Sequence, residues 1–228
     1  MPKIAIVDKI HSDGIKLLET NPKFQYEIID DLSKKNLISK LPNFDGITLR
    51  RGKIDAEILE KCKSLKVISR HGVGYDNVDT KFLKRNNITL LVTATTTSVS
   101  PTEHIMFMIL NISKGIDLYD KAVRDGKFDT AMHMKNNNNF ELKNKKILII
   151  GFGRIGKKLI KRCLGFEMKV YAYDPFVDQK IIESFGGIKV NDLNEGLKDA
   201  DILSLSVPLT EQTYNMINIE KMKIMKKH

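Results

Sequence analysis

The sequence predicts an α/β protein built as two doubly wound parallel-sheet domains. Short apolar runs of strand length alternate with helical segments of about ten residues, through residues 3–92 and again from residue 145 onward. A glycine-rich turn, Gly151-Phe152-Gly153-Arg154-Ile155-Gly156, directly follows one of those runs and opens a helix. Size agrees with this reading: 228 residues, 42% hydrophobic and 29% charged, leave room for one large or two small domains.

The first domain opens with a strand at residues 3–7 and a helix at 13–20, begun by Ser12 or Asp13. A strand at 24–29, a helix at 33–41, a strand at 45–49, a helix at 55–62 and a strand at 66–69 follow. A helix at 80–85 and a strand at 88–92 close the front half. Asp79 stands where its carboxylate caps the helix at 80–85, because the first helical amides lack partners within the helix. The threonine-rich segment 93–100 breaks the rhythm. Pro101 suits a first helical turn and Glu103 suits the positive end of the helix dipole, which predicts one long helix from there to near Gly126, crossing between the domains. The four asparagines at 136–139 read as a polar surface loop.

The second domain alternates in the same way: strands at 146–150, 169–173, 188–190 and 202–207, with helices at 154–164, 178–185 and 192–199, and a further helix at 219–227. Four strands fall short of the usual six of a doubly wound nucleotide domain, so this domain is expected to be incomplete. These residues are accordingly expected to be part of a chain of roughly 300 or more.

Several classes drop out. Apolar stretches such as 105–110 and 147–150 are far shorter than the roughly 20 residues that cross a bilayer, and residues 3–8 do not resemble a secretory leader. Cys62 and Cys163 stand too far apart for a metal motif or a disulfide framework, so no metal is expected and the thiols read as reduced in a cytoplasmic protein. The net charge of +10 comes from lysines scattered over most helices, without aromatics interleaved, which argues against a nucleic-acid surface. No membrane partner is expected either.

The glycine turn carries the sharpest chemistry. Gly151 permits a tight turn, Gly153 admits a pyrophosphate without a Cβ in the way, and Gly156 lets helix and strand pack closely. Main-chain amides around Arg154 and Ile155 face phosphates with a favourable helix dipole, and the Arg154 side chain adds a cation. The second strand ends in Asp174, 18 residues after Gly156, the spacing of a dinucleotide-binding βαβ unit. Its carboxylate suits both ribose hydroxyls and repels a 2′-phosphate, so NAD is expected rather than NADP. The run from Asp201 to Thr210 reads as a strand emptying into a turn on the same rim, shaped by Pro208, with Thr210 placed to cap.

Four segments together resemble the D-isomer-specific 2-hydroxyacid dehydrogenases, above all the phosphoglycerate dehydrogenase branch. They are Arg70-His71-Gly72-Val73-Gly74-Tyr75-Asp76-Asn77-Val78-Asp79; Glu103-His104 and the stretch to Gly126-Lys127-Phe128; Glu141-Leu142 through Gly156 to Tyr173-Asp174-Pro175; and Asp201 through Val207-Pro208-Leu209-Thr210 to Thr213 and Met216. The resemblance implies a flavodoxin-like substrate domain over residues 1–98 and a Rossmann NAD-binding domain over 99–228. It further implies cofactor contacts at Gly151, Gly153, Arg154, Ile155, Gly156, Asp174, Pro175, Val207, Pro208 and Thr213, and a substrate carboxylate on the amides of Val73 and Gly74. Read from the residues alone, Gly72-Val73-Gly74 is a glycine-flanked loop after a strand, which exposes donors that suit an anion. Asn144 stands where the family usually has glycine; asparagine tolerates the left-handed conformation such a turn needs.

The implied activity is NAD-dependent oxidation of the CH–OH group of a D-2-hydroxy acid, D-3-phosphoglycerate first, and the implied assembly is a homodimer formed through the nucleotide domain. Alternatives with the same fold are a glyoxylate or hydroxypyruvate reductase and a non-catalytic NAD-sensing regulator. Hydride transfer needs a base for the hydroxyl proton and a cation for the carboxylate. The family's catalytic Arg, Glu and His are expected beyond residue 228, so these residues are expected to bind NAD without turning substrate over. Among the histidines present, His11 and His133 read as exposed and His104 as structural, His228 is assigned nothing, and His71, beside the Gly72-Val73-Gly74 loop, is the one worth testing.

Overall fold

Two parallel sheets organise the chain, one in each of two units, Met1–Thr97 and Ser98–His228. The computed structural model describes residues 1–93, 98–132 and 139–227. The interior of the threonine-rich segment, His133, residues 136–138 of the asparagine run and His228 lie outside the described residues.

In the front unit, β1 (Lys3–Val7), β2 (Gln25–Ile29), β3 (Gly46–Leu49), β4 (Val67–Arg70) and β5 (Thr89–Val92) pair in the order β2-β1-β3-β4-β5, all parallel. Helices α1 (Ser12–Glu19), α2 (Lys34–Lys40), α3 (Ala56–Lys61) and α4 (Thr80–Arg85) connect them. The chain steps outward from β1 to β2 and then returns past β1 to β3, so its winding reverses between β1 and β3. Right-handed crossovers therefore place α1 on one face and α2, α3 and α4 on the other. The main core joins alternate strand residues (Ala5, Val7, Ile47, Leu49, Ile68) to Leu37, Ile58, Leu59 and Leu83 of those three helices. Burying each such aliphatic side chain contributes about 1.5–3 kcal/mol. By contrast α1 buries none of its residues, and its N-cap is His11, whose Nδ1 accepts from the Asp13 amide at 3.3 Å, rather than Ser12 or Asp13. Asp79 does cap α4: its Oδ1 accepts from Phe82 N at 2.9 Å.

The rear unit begins with α5 (Val99–Lys114), α6 (Ile116–Arg124) and the short α7 (Phe128–Met132). One continuous helix was the expectation; the chain instead breaks at Gly115. That residue adopts φ +59 and its amide closes α5 on Asn111 O at 2.9 Å, so it ends one helix and begins the next. Glu103 falls past the first turn of α5, beyond reach of the helix end, and instead lies 3.8 Å from Arg162.

The sheet follows, with β6 (Lys146–Ile150), β7 (Lys169–Tyr173), β8 (Ile188–Lys189) and β9 (Ile202–Leu205) in the order β8-β7-β6-β9, all parallel. The intervening helices are α8 (Arg154–Gly165), α9 (Gln179–Ser184) and α10 (Leu193–Asp199), with α11 (Ile219–Lys223) last and shorter than expected. Alternation along β6 divides the interior in two. Ile147 and Ile149 pack with Leu159, Ile160, Cys163 and Ile182 of α8 and α9, together with Met106 and Ile109 of α5. Leu148 and Ile150 face the other way, with Leu197 of α10 and Ile224 and Met225. Asn144 takes the left-handed conformation expected of it, φ +63.

Both cysteines are buried and free; burial pushes the Cys62 thiol up to about 11 and the Cys163 thiol up to about 12, which leaves both unreactive near neutrality. Among the described residues no helix is long and apolar enough to cross a membrane, and no cluster of three or more His, Cys, Asp or Glu side chains is arranged to hold a metal.

Candidate functional site

In the rear sheet the winding reverses between β6 and β9, and ligands of open parallel sheets bind in the crevice outside the strand ends at such a reversal. The glycine turn leaves β6 at this point. Gly151 has φ +92, and a Cβ on it would come within 2.6 Å of Ser206 O and 2.9 Å of Val207 Cγ1. Its need for glycine is therefore twofold, a left-handed backbone and the close passage of the chain leaving β9. A Cβ on Gly156 would come within 2.4 Å of Gly151 O, so this glycine lets the first turn of α8 press against the turn itself. Gly153 differs from both. A Cβ there would meet nothing within 4 Å, and its φ is an unremarkable −78. Gly153 faces open space.

That space is lined by main-chain donors. Gly153 is the N-cap of α8 without a side-chain cap, and the amides of Gly153, Ile155 and Gly156 donate to no described residue. Across the turn lies Asp174, whose Oδ2 accepts from Phe152 N at 2.8 Å and whose Oδ1 accepts from Phe176 N at 2.9 Å. Each carboxylate oxygen keeps a lone pair for another donor. The third wall is the chain after β9. Ser206 N donates to Ile150 O at 2.8 Å, and Val207 lies in this turn rather than in the strand. Thr213 shapes the turn: its Oγ1 donates to Pro208 O at 2.5 Å and accepts from Thr210 N at 2.8 Å, while Thr213 N donates to Thr210 Oγ1 at 3.2 Å. The structure thus brings Gly151, Gly153, Arg154, Ile155, Gly156, Asp174, Pro175, Val207 and Pro208 to one rim, with Thr213 bracing it. Bare amides on a helix N-terminus opposite a carboxylate suit a diphosphate joined to a sugar.

Val73 and Gly74 belong to the other unit. They follow β4 in a loop that begins with Gly72 at φ +143, tied down by Gly72 N to Thr93 Oγ1 at 2.8 Å and Thr93 N to Gly72 O at 3.1 Å. The amides of Val73 and Gly74 donate to no described residue, and Val73 is 45% exposed. Arg70 ends β4 beside this loop, its Nη1 donating to His71 O, and its buried Nε has no partner among the described residues. His71 is exposed at the same strand end.

Three residues at the front rim escaped the sequence reading: Asp8 after β1 and Arg50 and Arg51 after β3. Asp8 is buried, with φ +67, and accepts from Arg51 Nε at 2.6 Å and Nη2 at 3.1 Å. The hydrogen bond from Arg51 holds its carboxyl below the usual range against the opposing effect of burial, with the Arg51 and Arg50 charges helping. The available signal was their placement at the carboxyl ends of two strands that prove to be neighbours. The loop that carries the arginines is bound to the far side of the segment that follows Gly74: Asn77 Nδ2 donates to Gly52 O at 2.6 Å, Ile54 N to Asn77 O at 2.8 Å and Asp79 N to Ile54 O at 3.1 Å.

The model of the D-isomer specific 2-hydroxyacid dehydrogenase NAD binding domain matches residues 106–228, more than half of the chain. The chain belongs to the D-isomer specific 2-hydroxyacid dehydrogenase family. Its rear unit is that family's NAD-binding domain, and NAD is the cofactor. Over its whole length the chain is 34% identical to a D-3-phosphoglycerate dehydrogenase of Methanocaldococcus jannaschii, of which it covers 43%. It is 32% identical to a glyoxylate reductase of Pyrococcus furiosus, with 99% of the chain and 68% of the relative covered. Among solved structures, the D-lactate dehydrogenase of Aquifex aeolicus complexed with NAD and lactic acid superposes with a TM-score of 0.87 at 28% identity, over 98% of this chain and 66% of that one. The chain thus spans less than half the length of the first of these dehydrogenases.

Proposed function

We propose that this member of the family acts as an NAD-dependent dehydrogenase of D-2-hydroxy acids, with D-3-phosphoglycerate as the preferred substrate type. The observation that carries the cofactor half is the open approach at Gly153, beside the amides of Gly153, Ile155 and Gly156 that donate to no described residue, and faced by Asp174. In this reading the turn from Gly151 to Gly156, with Arg154 and Ile155, holds the diphosphate. Asp174 accepts from the adenosine ribose, which favours NAD over NADP. Pro175, Val207 and Pro208 wall the adenine side, and Thr213 keeps that wall in shape. When bound, NAD supplies the hydride acceptor. Residues 1–98 form the substrate domain and 99–228 the cofactor domain.

The amides of Val73 and Gly74 hold the substrate carboxylate, and the arginines on the same rim favour a substrate with a second anionic group over glyoxylate, which has none. A homodimer formed by the rear unit is part of the reading, since α5 exposes Met108 (49%) and Ile112 (69%) one turn apart, an apolar face that an equal partner would cover.

No arginine, glutamate and histidine of these 228 residues is assigned the family's proton-transfer and carbonyl-polarising roles. The 228-residue polypeptide is therefore expected to bind NAD with negligible turnover. Calorimetric titration with NAD tests the first half; absence of binding at millimolar NAD by folded protein would refute the cofactor assignment. Following NADH absorbance with D-3-phosphoglycerate and with D-lactate tests the second, and sustained NADH formation would show that a residue already present, His71 first, does the proton chemistry.

A further inference from the structure

We infer that Asn77 is a positioning residue: its side chain holds the loop that carries the Val73 and Gly74 amides in the shape that receives a carboxylate. This role rests on the D-2-hydroxy acid reading above, in which those amides hold the substrate.

Residues 73–76 are all exposed, and the amides of residues 73–77 donate to no described residue. Such a stretch keeps one shape only if its two ends are held, because each unfixed residue of backbone retains its conformational freedom. Half-buried residues stand at those ends, Gly72 and Asn77. Gly72 is held by its pair of hydrogen bonds with Thr93. Asn77 grips the 52–54 segment twice: its Nδ2 donates to Gly52 O at 2.6 Å and its carbonyl accepts from Ile54 N at 2.8 Å. Beyond it the chain is firmly seated. Val78 bridges Ile54 in parallel, both side chains are buried, and Asp79 N donates to Ile54 O at 3.1 Å. The Asn77 amide group is thus the side-chain tie that adjoins the bare stretch.

The other end of the same amide group separates this role from plain stability. Asn77 Oδ1 is buried, with no hydrogen-bond partner among the described residues. An unpartnered buried acceptor costs at least as much as one ordinary hydrogen bond contributes, so the side chain as a whole adds little to the stability of the fold. What the Nδ2 bond supplies is preorganisation. A loop already fixed at both ends loses less freedom when an anion settles on its amides, and the difference appears as affinity. Alanine at 77 removes the tie to Gly52 and the idle oxygen together and leaves the main-chain bond to Ile54 in place. Carboxylate affinity should then fall without a matching fall in stability, a combination that a residue kept only for folding would not give.

An NMR titration of the isotope-labelled 228-residue chain with D-lactate, read at the Val73 and Gly74 amides, tests this beside NAD calorimetry and urea unfolding. In the wild type both amide signals should move and saturate. Asn77→Ala should weaken D-lactate by about fivefold or more, which corresponds to ordering one further residue of backbone on binding. NAD affinity should stay within about twofold, and the urea midpoint within about 0.5 M, of the wild type. If Asn77→Ala does not fold, Asn77→Ser replaces it, its hydroxyl one bond shorter than the Nδ2 arm, with the same outcome expected. A D-lactate loss smaller than about fivefold overturns the role. A larger fall in NAD affinity or in the urea midpoint also overturns it, because the loss then reflects the fold and not the loop. Val73 and Gly74 signals that stay still in the wild type remove the carboxylate reading, and the role with it.

Discussion

The two units solve the same problem with different material. Each has a parallel sheet whose winding reverses once, and each places polar groups at that reversal. The rear rim works by subtraction. Glycines at 151, 153 and 156 clear side chains away, the amides of Gly153, Ile155 and Gly156 donate to no described residue, and one acid, Asp174, stands opposite. The front rim works by addition. Arg50, Arg51 and Arg70 bring cations to the strand ends, and a buried aspartate fixes one of them. Amides on a helix are held in place by the helix itself, whereas a guanidinium on a flexible stem needs a partner to orient it.

The largest effect that would break this comparison concerns the rear glycines. Gly151→Ala forces a Cβ against Ser206 O at a left-handed backbone, and should cost about 2–4 kcal/mol of stability along with NAD binding. Gly153→Ala meets nothing within 4 Å and should change stability by less than about 0.5 kcal/mol while still weakening NAD by about tenfold or more. Urea unfolding beside NAD calorimetry reads both, and equal destabilisation by the two alanines would show that Gly153 is not kept clear for a ligand.

A smaller effect belongs to Asp174→Ala, which strips the acceptor from Phe152 N and Phe176 N at a partly exposed site. Stability should fall by about 1 kcal/mol, NAD affinity by about tenfold, and the preference for NAD over NADP should shrink. An unchanged NAD-to-NADP ratio would remove the ribose role from this carboxylate.

The smallest effect sharpens the front rim through pH. The Arg51 hydrogen bond above all holds Asp8 below its ordinary value in the folded chain, so Asp8 binds its proton more readily when unfolded. Its contribution is complete above that ordinary value and disappears as pH falls through the lower folded value. The stability gap between wild type and Asp8→Asn should therefore be constant near neutrality and close progressively as pH falls below the ordinary aspartate value. A gap that persists at the acid end would mean that Asp8 acts by packing and not by charge. The rear unit has an analogous group: burial works to raise Asp201, yet Lys226 and the Lys146 amide prevail and leave it lowered, so both units lose stability in acid.

Features written in short stretches of sequence were legible. The strands at 146–150 and 169–173 and the helix at 80–85 match residue for residue, because apolar period and capping chemistry act over a few neighbours. The left-handed Asn144 was legible from the resemblance, because the family usually has glycine there and asparagine tolerates that conformation. Gly115 was not. A glycine within an apolar helical pattern reads alike whether the helix tolerates it or stops there, and the choice follows from how α5 and α6 pack. The Asp8–Arg51 fork was also hidden, since its partners are 43 residues apart and only the strand order makes them neighbours.

Residue order by itself determined the α/β alternation, the glycine turn and the family, all of which depend on patterns short enough to be carried by adjacent residues. Tertiary structure alone decided why each glycine is needed. Gly151 answers to Ser206, Gly156 answers to Gly151, and Gly153 answers to empty space, distinctions invisible in three identical letters. It also decided which charges meet, because hydrogen bonds act over about 3 Å and only the folded sheet brings distant strand ends that close.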